Sequence, residues 1–110
     1  MTAGARTRAR IVFLIRVPQA RREEFLAAYE KIRYAVANGV PGHLRDQVCR
    51  SADDPERWLI TSEWRELRDF LAWEASPDHR ELVRPMRECI TEASSLRFTV
   101  VAETAARTPV

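Results

Sequence analysis

An α+β fold with elements in the order β-α-β-β-α-α-β is predicted by three features of the 110-residue sequence. The runs RARIVFLIRV (8–17) and RWLITSEW (57–64) have the β-branched and aromatic content of strands. Residues 18–38 place Phe25, Tyr29, Ile32 and Val36 on one stripe of a 3.6-residue period, which is a helix. Ser76-Pro77 has the form of an N-cap followed by proline at the first helical position, so a further helix starts there.

Along the chain, the first strand has Ile11, Phe13 and Ile15 on one side and Val12 and Leu14 on the other, so both of its faces need cover. Pro18 opens the long helix and Asn38-Gly39 ends it. After the turn VPG (40–42), HLRDQVCR (43–50) reads as a weaker strand, polar on both faces, and SADDPE (51–56) as a turn. Trp58, Ile60, Ser62 and Trp64 then alternate with Leu59, Thr61 and Glu63, which makes residues 43–64 a hairpin. ELRDFLAWEA (66–75) is a short helix carrying Leu67, Phe70, Leu71 and Trp73. The next helix bears Leu82, Met86, Cys89 and Ala93, with a kink or a broken first turn expected at Pro85. SLRFTVVAE (95–103) is the last strand. Short flexible tails flank a core of residues 8–103 within one domain, 1–110.

A right-handed crossover assembles these elements into a ferredoxin-like, four-stranded antiparallel sheet with helices on one face. The other face also needs cover, since the last strand sets Leu96, Phe98 and Val100 against Val101. A second subunit packed sheet to sheet is therefore expected, making a homodimer.

The composition excludes several functions. With 45% hydrophobic and 31% charged residues the chain reads as soluble, and its longest apolar run, Ile11 to Ile15, is too short for a bilayer, so no membrane association and a cytoplasmic location are expected. Of 18 basic residues only Lys31 is a lysine, and all are interspersed with 16 acids, which is not the footprint of a nucleic-acid binder. Cys49 and Cys89 lack ligand spacing, so the expectation is no metal site and two buried free thiols.

No phosphate-cradling glycine loop, HExxH or GxSxG is present. His43, just after a turn, and His79, in the first turn of a helix, are candidate bases, with a surface or helix-end role as the alternative. Trp64 and Trp73 are either core or walls of a sheet-helix cleft, where indole rings stack on a flat aromatic ligand. Arg84 is either a solvated helix residue or the partner of an anionic group.

The order of elements, VPG before the second strand, SEW at the end of the third, and the F..W..SP.H pattern of Phe70, Trp73, Ser76, Pro77 and His79 carry a resemblance. The core resembles the antibiotic biosynthesis monooxygenase family of dimeric α/β-barrel proteins, which includes small anthrone oxygenases of aromatic polyketide pathways. The resemblance implies a homodimer with a pocket in each subunit that oxidises an aromatic polyketide or quinone-type substrate with molecular oxygen and no cofactor. It makes Trp64, Phe70, Trp73 and Tyr29 candidate substrate-binding residues, and His43, His79 and Arg84 candidate catalytic ones. Trp64 matches the anthrone oxygenases' strand-end tryptophan, Phe70 falls on their tyrosine, and Ile60 falls on an asparagine proposed to act on substrate. Their helix arginine falls near Val83 or Arg84. Trp73 and Ser76 match residues of haem-degrading members, but those members' ligating histidine falls on Val83 and their first-strand asparagine is missing, so haem degradation is not expected. A polyketide cyclase and a non-catalytic binding or assembly subunit are the alternatives to an oxygenase.

Overall fold

In the computed structural model, residues 8–107 are described; residues 1–7 of the expected N-terminal tail and residues 108–110 of the expected C-terminal tail lie outside the described residues. Strands β1 (Ala9–Arg16), β2 (His43–Arg50), β3 (Arg57–Trp64) and β4 (Glu92–Thr99) form one sheet in the order β2-β3-β1-β4, every adjacent pair antiparallel. Helices α1 (Arg22–Gly39), α2 (Leu67–Glu74) and α3 (Pro77–Arg87) complete the ferredoxin-like α+β fold. None of the described helices is long and apolar enough to cross a membrane.

The position of each strand follows from its side chains. β1 is apolar on both faces and lies inside the sheet, whereas β2, polar on both, takes an edge where half its backbone groups reach water. Ala9, Ile11, Phe13 and Ile15 of β1 stand opposite Trp64, Ser62, Ile60 and Trp58 of β3, so the alternation read from the sequence sets one continuous apolar face. The α1 stripe Phe25, Tyr29, Ile32 and Val36 is buried as its period predicts, with Phe25 packed at 5.4 Å, tilted, on the ring of Trp58. Truncating a buried aromatic of this kind costs roughly 3–5 kcal/mol.

Several boundaries differ from expectation. Pro18 opens a single 3-10 turn, Gln19–Arg21, and α1 begins only at Arg22. The Glu56 carboxylate, reaching over from the turn before β3, accepts from the Gln19 N–H at 3.0 Å and so satisfies a free donor at this helix start. Ser76 caps α3 as predicted, its Oγ accepting from the His79 N–H at 3.1 Å with Pro77 next in line. Pro85 sits in the last turn of α3 rather than in a first turn, two residues before the helix ends at Arg87, and its missing N–H leaves the Glu81 carbonyl without a helical partner close to that end. Cys89 therefore follows α3, buried in the turn beyond it, and Ala93 belongs to β4. β4 runs over 92–99 rather than 95–103, because its ladder is limited by β1: Arg16 pairs with Glu92, Ala9 with Thr99, and a final Val100 N–H bond goes to the Arg8 carbonyl. Both cysteines are free, but only Cys89 is buried; Cys49 lies on the exposed edge strand.

Among the described residues, no layer covers the sheet face away from the helices. Register puts Val12 beside Leu96 and Thr61, Leu14 beside Leu59, and Phe98 beside Arg10 on that face. Leu96 is 40% and Phe98 52% exposed. At one end of this face Glu63 is only 3% exposed beneath three guanidinium groups, at 2.7 Å from Arg8, 3.3 Å from Arg45 and 3.9 Å from Arg10.

Candidate functional site

Between the sheet and the helices lies a cavity of about 130 Å³. Its floor is Ile11 and Phe13 of β1 with Ile60, Ser62 and Trp64 of β3; its roof includes Tyr29 and Ile32 of α1, Phe70 and Trp73 of α2, and Val83 and Met86 of α3. Trp64 and Trp73 are thus walls of one cavity, contributed from opposite layers. Trp64 is almost fully buried, edge-on to Phe70 at 5.5 Å, and its indole N–H donates to Ser62 Oγ at 2.9 Å. Trp73 is partly exposed and takes the His79 ring edge-on at 5.3 Å.

The cavity runs across the sheet, from Asp46 on edge strand β2 to Ser95 on edge strand β4, and is polar at both ends. At the β2 end, Tyr29 Oη donates to Asp46 Oδ2 at 2.6 Å, and His43 Nε2 lies 3.6 Å from Asp46 Oδ1. His43 is not itself a wall residue. It is buried behind the wall with its ring edge-on to Trp64 at 5.2 Å, and its Nε2 has no hydrogen-bond partner. Burial raises the Asp46 pKa above the usual aspartate range, against the opposing pull of Tyr29 and His43, and burial together with the bond to Asp46 drives the Tyr29 phenol upward.

A bulge in β2 builds this end. His43 pairs with Trp64 and Arg45 with Glu63, leaving Leu44 as an extra residue. In a regular strand His43 and Asp46, three apart, would point to opposite faces. With one residue bulged, both face the helices. Gly42 precedes the bulge with φ of +85°, and its carbonyl accepts from the Arg65 N–H at 2.8 Å, pinning the two chain ends together.

At the β4 end stand His79, Glu74, Arg87 and Ser95. Burial, followed by the nearby Arg87 charge, lowers the His79 pKa and so favours the neutral imidazole, against the smaller opposing pull of Glu74. Glu74 pairs with Arg97 at 2.8 Å. Arg84 is not a wall residue: it faces an outer depression, 57% exposed and paired with Glu81 at 2.7 Å, while Arg87 lines the cavity. Ile60 and Val83 both present apolar side chains to it. Asp46, Ser62, Glu74, Arg87 and Ser95 are the polar wall residues that sequence reasoning missed. For Ser62 a signal existed, since it alternates with Trp64; for Asp46 none did, because the bulge is invisible in the strand's polar pattern.

A four-stranded sheet carrying helices on one side, with a polar-ended cavity between them, is the architecture of a ferredoxin-like α+β domain. The chain belongs to the Antibiotic biosynthesis monooxygenase family, whose sequence profile matches residues 8–85. It is 45% identical over 98 residues to a 42.8 kDa protein in the whiE locus of Streptomyces coelicolor, a match covering 89% of this chain and 24% of that protein. It is 43% identical over 103 residues to the polyketide synthase CurD of Streptomyces cyaneus, covering 94% of this chain and 27% of CurD. The chain thus spans about a quarter of the length of the curated relatives it matches. Among solved structures, SnoaB, a cofactor-independent oxygenase from Streptomyces nogalater, superposes with a TM-score of 0.76 over 87% of this chain and 95% of that one, at 20% identity. At that identity the likeness is one of fold.

Proposed function

We propose that the chain is a cofactor-independent oxygenase acting on an aromatic polyketide or quinone-type intermediate, with Trp64, Phe70, Trp73 and Tyr29 as the substrate-binding walls. The observation that carries this reading is the cavity itself: the rings of Phe13, Tyr29, Trp64, Phe70 and Trp73 set among aliphatic side chains, with a part-buried acid-phenol pair at one end. A volume near 130 Å³ suits one ring, given that a cavity of about 150 Å³ holds benzene. Further rings extend past His79 and Arg87 into the outer depression beside Arg84, which shares those two residues with the cavity, and the His79 imidazole serves as a hydrogen-bond partner there. The polyketide setting draws support from the CurD relative.

The chemistry needs no outside reductant, metal, haem or flavin. Loss of a proton leaves an electron-rich ring that passes electrons to oxygen. Converting a ring CH₂ to C=O uses one oxygen atom of O₂, and the other leaves as water with the two hydrogens. The protein's part is to orient the ring, exclude water and hold the proton. The uncovered apolar sheet face supports a homodimer packed sheet to sheet, and the two free thiols suit a reducing cytoplasm.

Oxygen uptake with anthrone in chelator-treated buffer is the test, with stoichiometric anthraquinone formation expected. No turnover across a panel of anthrones and polycyclic phenols would refute it. A cyclase on the same scaffold is the second reading, favoured by Ile60, which offers no hydrogen bond where the anthrone oxygenases have asparagine. Product formation that persists without oxygen would establish the cyclase in its place.

A further inference from the structure

We infer that Asp46 is the residue that takes the substrate's proton, with Tyr29 positioning its carboxylate and His43 accepting the resulting acid proton. This rests on the proposed function for the class of substrate, and it replaces either histidine as the direct base.

The geometry has three parts. Asp46 lines the cavity, whereas His43 does not. Tyr29 Oη donates to Oδ2 at 2.6 Å and fixes the plane of the carboxylate, which leaves Oδ1 as the free oxygen. His43 Nε2, buried and without a hydrogen-bond partner, stands 3.6 Å from that same Oδ1. A buried ring nitrogen without a partner is costly, and in the tautomer that carries its proton on Nδ1 the Nε2 lone pair would accept from a proton on Oδ1 after an approach of several tenths of an ångström. His79 stands at the other end of the cavity, away from the Asp46–Tyr29 pair.

For an anthrone the step is the breaking of the C–H bond opposite the carbonyl. Its electron pair delocalises onto the carbonyl oxygen as an anthrolate, and the proton forms an O–H bond with Asp46 Oδ1. No oxidant is involved, so the step is separable from anything that follows it.

The test is exchange of the anthrone CH₂ hydrogens with D₂O under argon, followed by mass spectrometry. Binding of 1,8-dihydroxyanthraquinone, read by quenching of tryptophan fluorescence, serves as the control for an intact cavity. The wild-type protein is expected to accelerate exchange. Asp46→Asn, which keeps an oxygen for Tyr29, should bind the dye within threefold of wild type yet exchange at least 100-fold more slowly. Asp46→Ala should regain at least tenfold of its lost exchange rate with added formate, a response that a purely structural aspartate would not give. Exchange by Asp46→Asn within threefold of wild type would overturn the inference, as would a wild-type protein that binds the dye without accelerating exchange. Asp46-dependent exchange without oxygen uptake would uphold the base while refuting the oxygenase reading. A wild-type protein that binds no dye would refute both.

Discussion

Replacing Phe98 with alanine tests how the open sheet face is covered. Phe98 is 52% exposed, next to Leu96 at 40%, on a face that also carries Val12, Leu14 and Leu59. With ~200 Å² for a whole phenylalanine, about 100 Å² of it is available to a partner, and at ~25 cal/mol per Å² its burial contributes ~2.5 kcal/mol per subunit. A two-fold interface contains the residue twice, so the loss is ~5 kcal/mol, or three to four orders of magnitude in the dimer dissociation constant. Sedimentation velocity from 0.1 to 100 μM measures it. The wild type should remain a dimer across that range, and Phe98→Ala should become monomeric within it. A wild-type monomer at the highest concentration, or a variant whose dissociation constant lies within threefold of wild type, would refute the assignment of this face to a second copy.

Three further changes probe the site. Gly42→Ala places a methyl group at φ of +85° and against the Asp69 side chain, so a loss of more than ~2 kcal/mol in urea unfolding is expected, and an unchanged midpoint would argue against the turn geometry. Trp64→Phe keeps the ring contacts to Phe70 and His43 but strips Ser62 Oγ of its donor, which should cost ~2 kcal/mol in the same assay and weaken dye binding; loss of neither would remove Trp64 from the wall. Asp46 has a folded-state pKa raised above its unfolded value of 3.8, so the folded protein binds the proton more tightly. Its contribution to stability is full below pH ~4 and declines as pH rises through the folded-state pKa. Wild type should therefore gain stability relative to Asp46→Asn as pH falls from 7 to 4, and parallel unfolding free energies across that range would contradict the burial of the acid.

Much of the frame was legible because periodicity is a local property. Residues 43–50 and 57–64 are strands with the limits read from the sequence, and the α1 stripe is buried at each of its four positions. The errors fall where one element's extent depends on another. β4 starts three residues early and stops at Thr99 because β1 supplies its ladder, and Cys89 leaves the helix because α3 ends just after Pro85. Arg84 and Arg87 are separated by less than one helical turn, and only the seating of α3 on α1 puts Arg87 on the cavity.

The sequence by itself determined the order of the elements, the apolar face of β3 with its two tryptophans, the second apolar face of β1, and, through VPG, SEW and F..W..SP.H, the family. Each of these is written in side-chain period or in a short motif. Only the tertiary structure decided that Trp64 and Trp73 share one cavity and that Asp46, rather than either histidine alone, meets its interior at the β2 end. The reason is physical: a single bulged residue at Leu44 inverts the facing of everything after it in the strand, and a bulge is set by the pairing of two chains, not by the composition of one.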